Sequence, residues 1–144
     1  MLVRVVEIAH RLGIFHRDIS ISNIFYDSRE KSNRNIFLND WSSAHRTHHL
    51  LSSSPVKWVG TPYFSCSRAD SYGCHIPTAA EDLCSIVKCA QISYCNQPLL
   101  PSSSAAEGAE YFDREITSSP YWKNAWHLAE KGEYDSLAAH FEQL

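Results

Sequence analysis

The sequence predicts a mainly α domain that carries a few short β-strands. Helical apolar spacing runs through residues 2–12 and 79–95 and returns beyond residue 111. Three short runs rich in branched and aromatic residues fall between residues 14 and 38. Those runs are too short to bury a core by themselves, so they must lie on the helices. At 144 residues, with 44% hydrophobic and 12% aromatic content, the chain suits one packed domain rather than a disordered segment.

Leu2, Val5, Val6, Ala9 and Leu12 recur at helical spacing, and Gly13 offers a stop. Ile14-Phe15 begins a first strand-like piece. Asn23–Tyr26 and Asn35–Leu38 are two more, joined by the polar connector DSREKSNR, and together they read as a hairpin with a solvated loop. Residues 42–58 are rich in Ser and His without an apolar period and read as a long loop. GTPYF at 60–64 turns the chain back to the core. Residues 79–95 read as a buried helix in which Ala79, Leu83, Ile86, Val87, Ala90 and Tyr94 share a face. Residues 98–110 form a Pro/Ser/Ala-rich linker. Two aromatic helical stretches follow, around 111–116 and 121–141, with Ser119-Pro120 a fitting start for the last. Their Trp122, Trp126 and Tyr134 stripe reads as core.

Composition removes several classes of function. The net charge is −3, from 13 basic against 16 acidic residues. With no basic excess, neither nucleic acid nor an anionic membrane is an expected partner. The five cysteines, Cys66, Cys74, Cys84, Cys89 and Cys95, are odd in number and form no C-x-x-C, which argues against a disulfide framework or a zinc ribbon and fits a reducing compartment. His45, His48, His49 and His75 lack the paired cysteine spacing of a zinc site. Ser42, Ser43, Thr47 and Ser52–Ser54 read as a polar loop before they read as modification sites. No apolar run nears the roughly 18 residues of a membrane helix. Arg4, Glu7, His10 and Arg11 interrupt the N-terminal apolar pattern, which excludes a secretory signal. An intracellular protein, cytoplasmic or nuclear, is expected.

The chemistry concentrates in residues 14–25, IFHRDISISNIF, where His16, Arg17 and Asp18 are followed by Asn23. Taken alone, these residues describe either a phosphate-transfer site or a polar turn capped by its own Asx side chains. HRDISISN resembles the H-R-D-x-x-x-x-N catalytic loop of protein kinases, and NDWSSA at 39–44 resembles the D-F-G segment that follows it. GTPYFSCSRA at 60–69 resembles the substrate-docking end of an activation segment. EDLCSIV at 81–87 resembles the start of the central helix of the C-terminal lobe. The wording of HRDIS, DW and DLCS is closest to fungal-type and casein-kinase-like protein kinases.

The resemblance implies a protein-kinase-like C-terminal lobe over residues 1–144. Its catalytic loop would span 16–23, its activation segment 40–69, its central helix 79–95 and its C-terminal helices 111–143. Asp18 would orient the substrate hydroxyl and accept its proton, while Asn23 and Asp40 would bind Mg and, through it, ATP. Phe25 would lie under the adenine ring. His16 and Trp41 would pack behind the site, and Arg17 would pair with a phosphate on the activation segment. Thr61 belongs to the docking turn, and Asp82 would accept hydrogen bonds from the catalytic-loop backbone.

Departures from the family pattern are equally specific. Ser42 replaces the D-F-G glycine, and Ser20 stands where serine/threonine kinases carry a phosphate-holding lysine, with no arginine at position 22. Arg68 stands where a glutamate closes the activation segment. Only fifteen residues precede His16, and none of the five glycines forms G-x-G-x-x-G, so the N-terminal lobe is not in this sequence. Two functions are therefore expected. One is ATP- and Mg-dependent phosphoryl transfer to Ser, Thr or Tyr hydroxyls of proteins, by a truncated form with little activity alone. The other is a catalytically inactive kinase-like module that binds a partner protein near Phe25. A small-molecule phosphotransferase of aminoglycoside-kinase type shares the acid, amide and acid trio, but Arg17 and GTPYF oppose it.

Overall fold

A computed structural model describes residues 2–27, 35–47, 55–65, 74–95, 112, 114–116 and 118–144. The architecture is mainly helical. Four helices, α1 (Leu2–Arg11), α2 (Ala79–Cys95), α3 (Pro120–Glu130) and α4 (Tyr134–Phe141), are accompanied by short strands, and residues 112, 114–116 and 118 are also helical.

The strands occur as antiparallel pairs. β1 (Ile14–Phe15) pairs with β4 (His45–Arg46), β2 (Ile24–Tyr26) with β3 (Ile36–Leu38), and β5 (Val56–Lys57) with β6 (Cys74–His75). The expected hairpin is present in β2–β3, with Phe25 opposite Phe37. Most of its connector, residues 28–34, lies outside the described residues, as do the 98–110 linker, Cys66, Arg68, His48 and His49. The long loop expected over 42–58 needs correction at both ends, while residues 48–54, with Ser52–Ser54, lie outside the described residues. Residues 41–43 form a 3-10 turn, and β4 and β5 fall within this stretch. Each is a two-residue bridge held by backbone bonds, so no side-chain alternation marks it.

α2 is the axis of the molecule. Leu83, Cys84, Ile86, Val87, Cys89 and Ile92 are buried, and so are the polar Asp82, Ser85, Lys88 and Gln91 between them. Burial on nearly every side requires neighbours all round, supplied by α1, α3 and the 62–64 turn. The face predicted from spacing is thus only part of the buried surface, and Tyr94, assigned to it, is exposed. Burial pushes the Cys89 thiol far above its usual range, so Cys89 behaves as a small apolar residue. Leu12, read at helical spacing with Leu2 and Val6, lies past the end of α1 at Arg11 and is exposed.

The expected helix over 121–141 is two helices. Gly132 adopts φ 71°, its N–H donates to Ala129 O at 3.0 Å, and Glu133 N donates to Leu128 O at 3.0 Å. This left-handed glycine cap stops α3, and α4 starts afresh two residues later. Trp122 is buried, and Trp126 and Tyr134 pack against the core, as their stripe indicated. Among the described residues, no helix is long and apolar enough to cross a membrane.

Candidate active site

Loop 16–23 is built on α2. The Asp82 carboxylate is 2% exposed and accepts from two successive backbone amides, His16 N at 2.7 Å and Arg17 N at 2.8 Å. Arg17 sits at φ 70°, a left-handed conformation costing about 1–2 kcal/mol for a non-glycine residue. That conformation turns the two amides toward one carboxylate, which offsets the cost. The His10 ring reaches the same carboxylate, with Nε2 2.8 Å from Asp82 Oδ2 and Nδ1 2.8 Å from the Tyr134 hydroxyl. His10 went unassigned in the sequence. Its signal was position: Val3, Val6 and His10 recur at helical spacing, and the first two are fully buried.

His16 is buried, 1% exposed. Its Nε2 bonds Asn39 O at 2.9 Å, and its ring meets Trp41 edge-on with centroids 4.6 Å apart. Asp18 N donates to His16 Nδ1 at 3.3 Å, which fits the tautomer with its proton on Nε2. Asn23 ends the 3-10 turn Ile21–Asn23, and its Nδ2 donates to Asp18 O at 3.0 Å. That bond fixes the amide through its nitrogen and does not use its oxygen, an acceptor. Ser20 is fully buried and its hydroxyl lies 2.8 Å from that of Ser22. The two positions where a basic residue was sought therefore hold a hydroxyl pair.

The β2–β3 hairpin returns the chain to Asn23. Asn39 N donates to Asn23 O at 2.8 Å, which places Asp40 one residue beyond this junction. Asp40 adopts φ 56°, ψ 71°, and its Oδ1 accepts from Ser42 Oγ at 2.6 Å and Ser42 N at 3.3 Å. The Ser42 hydroxyl, followed by its amide, holds the exposed Asp40 carboxyl below the usual carboxylate range. The positive φ falls on Asp40 and not on residue 42, so Ser42 carries no left-handed strain. Asn23 and Asp40 offer an amide and a carboxylate oxygen, hard donors of the kind Mg takes.

A third segment closes over Asp18. Thr61 donates to Asp18 Oδ1 from both its amide and its hydroxyl, each at 2.7 Å. Gly60 makes this approach at φ 126°, and a Cβ there would stand 2.5 Å from Arg17 O. Gly60→Ala is therefore expected to push the segment off loop 16–23 and to cost about 1–3 kcal/mol, read by urea denaturation. The Arg17 guanidinium spans both ends of the 43–57 stretch, donating to Ser43 O at 3.2 Å and to Lys57 O. Its Nε is buried without a partner among the described residues. Burial lowers the Arg17 pKa, opposed by Glu81 and Asp82. Burial also raises the Glu81 carboxyl, opposed chiefly by His75, whose Nε2 lies 3.2 Å away.

The structure thus brings His16, Arg17, Asp18, Asn23, Thr61 and Asp82 together, with Asp40 and Trp41 joined through Asn39 and His16. Phe25 stands apart, half-exposed on β2 beside the equally exposed Phe37. Compared with models of known protein families and with curated proteins, the chain matches none.

Proposed function

We propose that these residues form one wall of a protein-kinase-type site that transfers the terminal phosphoryl group of ATP, with Mg, to a Ser, Thr or Tyr hydroxyl of a protein. The observation that carries this reading is the fixing of Asp18. Its Oδ1 is held twice by Thr61 and its carbonyl by Asn23, which leaves Oδ2 for an incoming hydroxyl. Asp18 would orient that hydroxyl and take its proton. The Asn23 amide oxygen and the Asp40 carboxylate would hold the metal, which supplies charge neutralisation at the phosphates. Asp40 suits the role because it is ionised and solvent-facing. Phe25 would offer an apolar face to the adenine ring. The Arg17 bonds to Ser43 and Lys57 carbonyls support the use of 40–69 as an activation segment, with the guanidinium holding it in place of a phosphate.

A second reading, a non-catalytic module that binds a partner protein, is favoured by two observations. The Ser20–Ser22 pair supplies no cation for the transferred phosphate, and Phe25 and Phe37 are exposed opposite one another on one face of the β2–β3 hairpin. Titration calorimetry with Mg–ATP separates the two. The first reading expects saturable, Mg-dependent binding that Asp40→Ala weakens at least about tenfold. Absence of binding in both proteins selects the second.

A further inference from the structure

Three polar side chains stand three residues apart on α2, and all are buried: Asp82 at 2%, Ser85 at 7% and Lys88 at 1% exposure. Spacing of three along a helix makes them neighbours on one stripe. Asp82 holds loop 16–23, as described. The next two hold segment 60–65. Ser85 Oγ lies 2.9 Å from Phe64 O and 3.0 Å from Glu81 O, so its proton is shared between a helix carbonyl and the segment. Lys88 Nζ donates to the next carbonyl, Ser65 O. The amine also lies 5.1 Å from the centroid of the Phe112 ring and 5.6 Å from that of Trp126.

Burying an amine is costly unless its surroundings replace water, and here a carbonyl and two aromatic rings do so. Among the amine's contacts is a directional bond to Ser65 O. The segment is then fastened at both ends: Thr61 on Asp18 at one, Ser85 and Lys88 on α2 at the other. Between them, Phe64 N donates to Thr61 O at 3.0 Å, closing the turn.

We propose that Lys88 is a positioning residue that locks segment 61–65 in register with Asp18, so that a protein substrate docking on this segment presents its hydroxyl to Oδ2. The substrate part rests on the phosphoryl-transfer reading above; the lock itself does not. Because α2 holds both the loop and the segment, loss of one anchor shifts the segment alone.

The test is amide hydrogen exchange on Lys88→Met. Exchange at Thr61 and Phe64 is expected to rise about tenfold, with residues 14–23 unchanged. Ser85→Ala, which removes the adjoining bond, is expected to raise exchange at the same two amides. Unchanged exchange in both variants overturns the proposal. So does a uniform rise across the molecule with lowered stability, which marks Lys88 as merely structural. Peptide phosphorylation adds a second readout: Lys88→Met should raise KM for the peptide several-fold while Mg–ATP affinity stays level. Absence of any phosphoryl transfer counts against the proposed function, and the exchange result then decides the lock by itself.

Discussion

Asp82→Ala is expected to destabilise the protein by about 3–5 kcal/mol, read as a shift of the urea midpoint at unchanged slope. The carboxylate is buried and accepts from His16 N, Arg17 N and the His10 ring. Truncation strips three buried groups of their acceptor at once, and each orphaned donor costs about 1–3 kcal/mol before relaxation. The left-handed turn at Arg17 also loses the contact that offsets its strain. A small domain holds only about 5–15 kcal/mol in total, so the variant sits near the edge of folding. Asp82→Asn should fall between the two proteins. One amide oxygen can serve one backbone N–H, whereas the amide nitrogen would face the other as donor against donor. Residue-resolved hydrogen exchange should show protection lost first at His16 and Arg17.

Asp18→Asn is expected to slow the small phosphoryl transfer to a peptide that the wild type supports alone by about 10²–10⁴-fold, the usual worth of a positioned general base. Fold and nucleotide binding should survive. The Asn oxygen can keep the Thr61 bonds at Oδ1, and the backbone carbonyl still accepts from Asn23. What disappears is the proton acceptor on the second oxygen. Mg–ATP affinity should therefore hold within about twofold while the rate collapses, a split that loss of folding cannot imitate. Equal rates in the two proteins would remove Asp18 from the chemistry.

The sequence made the helices legible because their apolar spacing is strong. α1 and α2 fall where Leu2, Val6, Leu83, Ile86 and Val87 place them. The β2–β3 hairpin was legible from its two aromatic runs. β4 and β5 were not: His45-Arg46 and Val56-Lys57 pair through backbone alone, and two residues carry no alternation. The break at Gly132 lay beneath a continuous aromatic stripe, and only the glycine's left-handed geometry ends α3. At the site, the motif residues could be named from their order in the chain, but their supports could not. His10 looked like a charge interrupting an apolar helix, and Ser85 and Lys88 fell outside the apolar face read for α2. Each faces inward because its partner comes from a distant segment: Asp82 for His10, Phe64 O for Ser85 and Ser65 O for Lys88. Pattern in one helix carries no record of such partners. Ser42 likewise read as a missing glycine in a polar loop, whereas its hydroxyl donates to Asp40.

The central claim is that Asn23 and Asp40 share a metal that carries ATP beside Asp18. Paramagnetic NMR with Mn–ATP, the manganese standing in for Mg, tests it at residue resolution and detects weak binding. The account predicts selective broadening of the Asn23 side-chain amide and of the Asp18, Asn39 and Asp40 backbone amides, abolished by Asp40→Ala and absent with Mn alone at the same concentration. Broadening that centres on the surface histidines, or that persists unchanged in Asp40→Ala, would contradict it.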